Sequence, residues 1–121
     1  MANAFVHVEL NSNNVAKARE FYSKLFDWKL EDMPMGPGMT YTMINTGDDK
    51  TGGGMWQNPV GPGSAWIPYV AVDDIEASTA NVKKLGGTVN QDITEIPNMG
   101  RYTIITDPSG ATIGLWESTN R

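Results

Sequence analysis

Tyr102-Thr-Ile-Ile-Thr-Asp-Pro-Ser-Gly-Ala-Thr-Ile-Gly-Leu-Trp-Glu117 decides the fold. It reads as strand, tight turn, strand. Two β-rich runs, Tyr102–Thr106 and Ala111–Glu117, flank Asp107-Pro108-Ser109-Gly110. Asp at the first turn position, Pro at the second and Gly at the fourth specify a type I turn. The chain carries a looser copy of this stretch in Tyr41-Thr-Met-Ile-Asn-Thr-Gly-Asp-Asp-Lys-Thr-Gly-Gly-Gly-Met-Trp56. Gly54 and Trp56 stand 60 residues before Gly114 and Trp116, and Tyr41 corresponds to Tyr102.

The same offset holds elsewhere. Val8-Glu9-Leu10 falls on Pro68-Tyr69-Val70, Asn14 on Asp74, Val15 on Ile75, Tyr22 on Val82, and Leu25 on Leu85. A period of half the chain means a duplicated module, not a solenoid.

Working outward, Phe5–Leu10 alternates as a strand, with Val6, Val8 and Leu10 on one face and His7 and Glu9 on the other. Asn11–Asn14 offers N-cap side chains for a helix over Val15–Phe26, striped by Val15, Ala18, Tyr22 and Leu25. Trp28–Glu31 reads as a short strand, and Met33–Met39 as a Pro- and Gly-rich loop whose methionines suit an adaptable apolar lid. Strands follow at Tyr41–Thr46 and Gly53–Gln57. The second module repeats this order: strand Trp66–Val72, helix Ile75–Leu85 striped by Ile75, Thr79, Val82 and Leu85, strand Thr88–Gln91, loop Ile93–Met99, and the closing hairpin. Asp73 or Asp74 caps the helix, with Asp73 and Glu76 spaced as a capping box, and Gly86-Gly87 ends it.

The fold class is therefore α+β: two tandem βαβββ modules forming a curved, cleft-bearing mixed sheet with helices on the outside. Module one spans 1–57, a linker 58–64, and module two 65–121, all within a single domain over 1–121. Each sheet covers one face with its helix, so the other face must line a cleft or pack elsewhere.

Bulk properties exclude several function classes. A net charge of −5 argues against nucleic acid, which needs a basic face. No apolar run approaches the roughly 18 residues of a membrane span, and the N-terminus lacks signal-peptide character. With no cysteine there are no disulfides or thiolate ligands, which fits a cytoplasmic chain. Gly52-Gly53-Gly54 enters a strand and lacks the Lys of a phosphate loop. A single His and no elbow motif leave no Ser-His-Asp set.

In order, His7-Val-x-Leu10, Ala18-x-x-Phe21-Tyr22, Val72-Asp-Asp-Ile75, Gly86-Gly87 and Asp107-Pro-x-Gly110 resemble the vicinal oxygen chelate superfamily. That family includes glyoxalase I, extradiol dioxygenases, and the fosfomycin and bleomycin resistance proteins. The resemblance spans essentially the whole chain. It implies a homodimer, and a divalent metal held by His, Glu or Gln on the first and last strands of each module. Carried over, those positions are His7, Gly54, Ile67 and Gly114, so His7 is the only competent ligand among them. Catalytic metal sites need about three protein ligands. The resemblance therefore implies no resident cofactor, with a loosely held divalent metal at His7 and Glu9 as the alternative. Glu117 is three residues from Gly114 and points to the opposite face.

Strand parity places His7, Glu9, Gly54, Trp56, Ile67, Tyr69, Gly114 and Trp116 on the cleft-facing side. Two Gly beside two Trp suit a slot for a flat or aromatic small molecule. Glu9, with His7 beside it, is the candidate general base, against a structural reading in which the two simply hydrogen-bond. Two Trp at repeat-related positions also suit core filling. The leading expectation is thus a metal-independent small-molecule binder like the bleomycin resistance branch. The alternatives are a lyase or dioxygenase of the glyoxalase type with a displaced metal site, and an interaction module whose cleft is self-filled.

Overall fold

The computed structural model describes residues 3–36, 39–47, 51–57 and 64–119. Among them the elements run β1 (Phe5–Ser12), α1 (Val15–Leu25), β2 (Lys29–Gly36), β3 (Met39–Asn45), β4 (Gly52–Gln57), β5 (Ala65–Ala71), α2 (Ile75–Lys84), β6 (Thr88–Ile96), β7 (Gly100–Thr106) and β8 (Thr112–Ser118). This is the twice-repeated βαβββ order expected from the duplication, and the fold is α+β. The chain divides into two compact units, Val6–Ile67 and Pro68–Arg121 with Met1–Phe5.

In the first half the strands lie in the order β2-β3-β4-β1. β1 runs parallel to β4, whereas β2–β3 and β3–β4 are antiparallel. In the second half the order is β5-β8-β7-β6, with β5 parallel to β8 and the other pairs antiparallel. Each half is therefore mixed in the same way.

The core of the first half is Leu10, Ile44 and Met55, flanked by Val15, Ala18, Tyr22, Trp28 and Leu30. Alternation in β1 and β4 directs Leu10 and Met55 toward α1, as expected. Asn14 caps α1 by accepting from the Lys17 amide at 3.0 Å. The Thr42 hydroxyl and Arg19 both bond Asp32, holding its carboxyl below the usual range and tying α1 to β2 and β3. In the second half Ile75 and Thr103 are fully buried. Gly86 takes φ of +91° just past the C-cap of α2, where a side chain would be strained.

The closing hairpin forms as the sequence indicated. The Gly110 amide bonds the Asp107 carbonyl at 3.0 Å. Asp107 Oδ1 accepts from the Ser109 hydroxyl and from the Ser109 and Ala111 amides, which lowers its pKa.

Four expectations need correction. Met33–Met39 is not a loop: β2 continues to Gly36 and β3 begins at Met39, with 37 and 38 outside the described residues. Likewise β6 continues through Ile93–Ile96, leaving only a turn before Gly100. The antiparallel partners β3 and β7 supply hydrogen bonds that local composition does not reveal. Pro34 is tolerated because β2 ends its sheet order, and register shifts in β2 and β6 absorb the irregularity. Met33 is accordingly a strand residue, and the side chains of Met35 and Met39 lie outside what is described. Leu25 and Leu85 leave their stripes, at 56% and 77% exposed, because each sits where its helix ends. Finally, the α2 cap is Asp74, whose Oδ1 accepts from the Glu76 and Ala77 amides, so Asp73 and Glu76 do not form a capping box. Glu76 instead pairs with Arg101. The linker over 58–64 lies outside the described residues except for Ser64, whose hydroxyl accepts from the Asn13 amide.

Candidate functional site

The pleat of β1 sends His7, Glu9 and Asn11 to one face. In the parallel register with β4 they stand beside Gly52, Gly54 and Trp56 in turn. The first two neighbours have no side chains, so the β1 residues lean into a strip that Trp56 closes at one end. A Cβ on Gly52 would stand 3.0 Å from His7 Nδ1. Tyr41, from β3, lies across Gly54: a Cβ there would overlap the Tyr41 hydroxyl, Cζ and Cε2.

These side chains form a continuous hydrogen-bond chain. Trp56 Nε1 donates to Asn11 Oδ1 at 2.5 Å, and Asn11 Nδ2 donates to Glu9 Oε2 at 3.1 Å. The Tyr41 hydroxyl donates to Glu9 Oε1 at 3.0 Å and lies 2.7 Å from His7 Nε2. A hydroxyl has one proton, and here the carboxylate takes it. His7 Nε2 therefore carries the hydrogen that reaches the Tyr41 oxygen. Glu9 is 9% exposed, as is Asn11. Each Glu9 oxygen receives a donor, which offsets the cost of burying the carboxylate. Burial lowers the His7 pKa, which favours the neutral ring. His7 and Glu9 are joined through Tyr41, not by the direct bond expected from sequence.

The second half solves the equivalent position with another ring. Gly114 pairs with Tyr69, whose ring lies across it: a Cβ on Gly114 would overlap Cδ2 and Cε2 and stand 2.8 Å from Cγ. Tyr69 is 4% exposed and meets Tyr102 edge-on, with centroids 6.2 Å apart. Gln91 Nε2 donates to the Tyr102 hydroxyl at 2.8 Å. Trp116 covers Gly100, where a Cβ would stand 2.7 Å from Cζ2. Ile67 is buried. Glu117 sits on the helix side of β8, as parity indicated, accepting from the Ile75 amide and from Arg101.

The structure thus brings His7, Glu9, Gly54 and Trp56 together in the first half, and Tyr69, Gly114 and Trp116 in the second. The room expected at Gly54 and Gly114 is taken by the rings of Tyr41 and Tyr69. Sequence reading missed Tyr41 and Asn11 as site residues. From sequence Asn11 reads as a helix-capping residue beyond the strand, although it follows Glu9 by two. Tyr41 reads only as the repeat match to Tyr102.

The family model described as the Glyoxalase/Bleomycin resistance protein/Dioxygenase superfamily matches residues 4–115. The chain belongs to this superfamily. A curated relative named "Putative glyoxylase CFP32", from Mycobacterium tuberculosis, is 34% identical over 92% of this chain and 44% of its own length. The anthracycline biosynthesis protein DnrV of Streptomyces peucetius is 28% identical over 89% of this chain and 44% of its own. The chain therefore spans less than half the length of these relatives. Among solved structures, the hypothetical protein BH1468 from Bacillus halodurans matches with a TM-score of 0.73 at 15% identity, covering 100% of this chain and 98% of its own. Methylmalonyl-CoA epimerase from Mycobacterium tuberculosis matches at 0.66 and 16%, covering 95% and 87%. At these identities the structural matches show the fold alone.

Members of this superfamily often hold a divalent metal. The described residues do not fit one. Among the described residues no three His, Cys, Asp or Glu side chains come together to hold an ion. His7 Nε2 and both oxygens of Glu9 are engaged by Tyr41 and Asn11, and the Gly54 position is covered by a ring.

Proposed function

We propose that this superfamily member binds a small, flat or aromatic molecule without a resident metal. The observation that carries the reading is the Trp56–Asn11–Glu9–Tyr41–His7 chain: an indole from β4, a phenol from β3 and an imidazole from β1, joined through the buried polar groups of Asn11 and Glu9. Ligand sites combine apolar and aromatic surface with a few fixed polar groups in this way. The name of the Streptomyces peucetius relative adds support, since anthracyclines are flat, fused-ring aromatics. Tyr69 and Trp116 are a second aromatic group, on the other half's own face. The chain is further proposed to be cytoplasmic, which cell fractionation checks, and to act as a homodimer, which sedimentation of the purified protein checks.

The network also favours metal-free acid–base chemistry as a second reading. The donor chain from His7 through Tyr41 ends on Glu9 and stabilises it as the carboxylate, the form a general base needs. Glu9→Gln separates the readings. It abolishes turnover under the second and only weakens binding under the first.

Titration with a hydroxylated anthraquinone, followed by tryptophan fluorescence in excess chelator, tests the proposal. Saturable quenching that is largely lost in Trp56→Phe supports it. No saturable quenching, or quenching that requires added metal, overturns it.

A further inference from the structure

His7 and Glu9 are the metal-competent pair of the first half, and one phenol holds both. Its oxygen lies 2.7 Å from the imidazole nitrogen and 3.0 Å from the carboxylate oxygen. A Cβ built on Gly54 points at that same hydroxyl. Position 54 is also the register partner of Glu9, on a strand parallel to it. A side chain projecting from 54 would therefore reach the point between His7 and Glu9 where the phenol now stands. A cation placed there would have to expel the ring or take its oxygen as phenolate, against an ordinary phenol pKa near 10.

We infer that Tyr41 is the residue that keeps divalent metal out of this site, its ring occupying the third-ligand position and its hydroxyl satisfying the two ligands that remain. The inference rests on the metal-independent reading above and adds its physical cause. The second half covers its own repeat-equivalent glycine, Gly114, with Tyr69. A ring over a β8 or β4 glycine is thus a recurrent feature of this chain. The two halves use different strands for it. β5 supplies Tyr69 where β1 supplies Glu9, so the first half keeps a carboxylate there and borrows its ring from β3.

The test is cobalt(II) binding, read by visible absorption and equilibrium dialysis, with circular dichroism to confirm folding. Four variants are compared with the wild type. Tyr41→Phe keeps the ring and removes the hydroxyl, so it gains no stoichiometric metal. Gly54→Glu alone adds a carboxylate against the ring and gains none. Tyr41→Ala/Gly54→Glu opens the position and fills it with a third ligand. It is expected to bind about one cobalt per chain, roughly 10–100-fold tighter than wild type, the scale on which changes around a metal move its affinity. Adding His7→Ala to that pair removes the gain. A folded double variant that binds cobalt no better than wild type overturns the inference. So does Gly54→Glu alone binding as tightly as the double variant. Should the double variant not fold, Tyr41→Ala alone decides: a weaker gain of about tenfold supports the inference, and no gain overturns it. Stoichiometric cobalt in the wild type would instead overturn the metal-independent reading.

Discussion

Gly114→Ala exposes the packing logic most sharply. A methyl at 114 would overlap Cδ2 and Cε2 of Tyr69 and stand 2.8 Å from its Cγ. Cγ is near the root of the side chain, so a small swing of the ring gives no relief. Tyr69 is 4% exposed and has Tyr102 against its edge, so a larger swing displaces a neighbour. Overpacking of this kind costs about 1–3 kcal/mol. For a chain of 121 residues, that corresponds to a fall in Tm of roughly 3–15 °C. Urea unfolding followed by far-UV circular dichroism measures the cost. The decisive step is a double-mutant cycle with Tyr69→Ala, which ends the side chain before Cγ and the other clashing atoms. Tyr69→Ala is itself destabilising, by about 3–5 kcal/mol through the lost ring. In that background Gly114→Ala becomes neutral or slightly stabilising, giving a coupling of about 1–3 kcal/mol. A neutral Gly114→Ala in the wild type, or an equal cost in both backgrounds, would refute the ring-over-glycine account.

Three other outcomes follow from the same structure. His7 is the only histidine, so its imidazole NMR signals titrate alone, and their apparent pKa falls below 6.5. Because the folded value is depressed, the unfolded chain binds the extra proton first. This contribution to stability is complete above pH 6.5 and is lost as the pH falls toward the folded pKa; a folded pKa at or above 6.5 contradicts the burial argument. Asp74→Ala removes the α2 cap and lowers stability by about 1 kcal/mol in urea unfolding, while Asp74→Ser restores most of it. Tyr41→Phe removes the hydroxyl between His7 and Glu9 and raises the urea sensitivity of the first half by about 1–3 kcal/mol. An unchanged midpoint would show that the hydroxyl is not a working link.

The duplication carried most of the fold. A constant 60-residue offset between Gly54 and Gly114, and between Trp56 and Trp116, fixed two βαβββ modules before any element was placed. Hydrophobic alternation then assigned faces correctly at Leu10, Met55 and Glu117. Reading failed where partners across the sheet decide the outcome. Met33–Gly36 and Ile93–Ile96 are strands because β3 and β7 bond to them, although their own composition favours a loop. The site was half legible for the same reason. His7, Glu9, Gly54 and Trp56 share a face by parity alone, but which ring lies over Gly54 depends on side-chain reach from β3. Periodicity is silent on that reach. A glycine repeated at equivalent strand positions beside several tyrosines is the available signal, because by itself a strand glycine reads equally well as open space.

Metal analysis of the purified wild type tests the central claim most directly. The protein would be loaded in turn with Zn, Ni, Mn and Fe(II), freed of loosely held ion by dialysis, and examined by elemental analysis. With His7 and Glu9 held by Tyr41, and Asn11 on the second Glu9 oxygen, retention far below one metal per chain is expected under every loading. One metal retained per chain and lost in His7→Ala would contradict the account and return metal chemistry to this site.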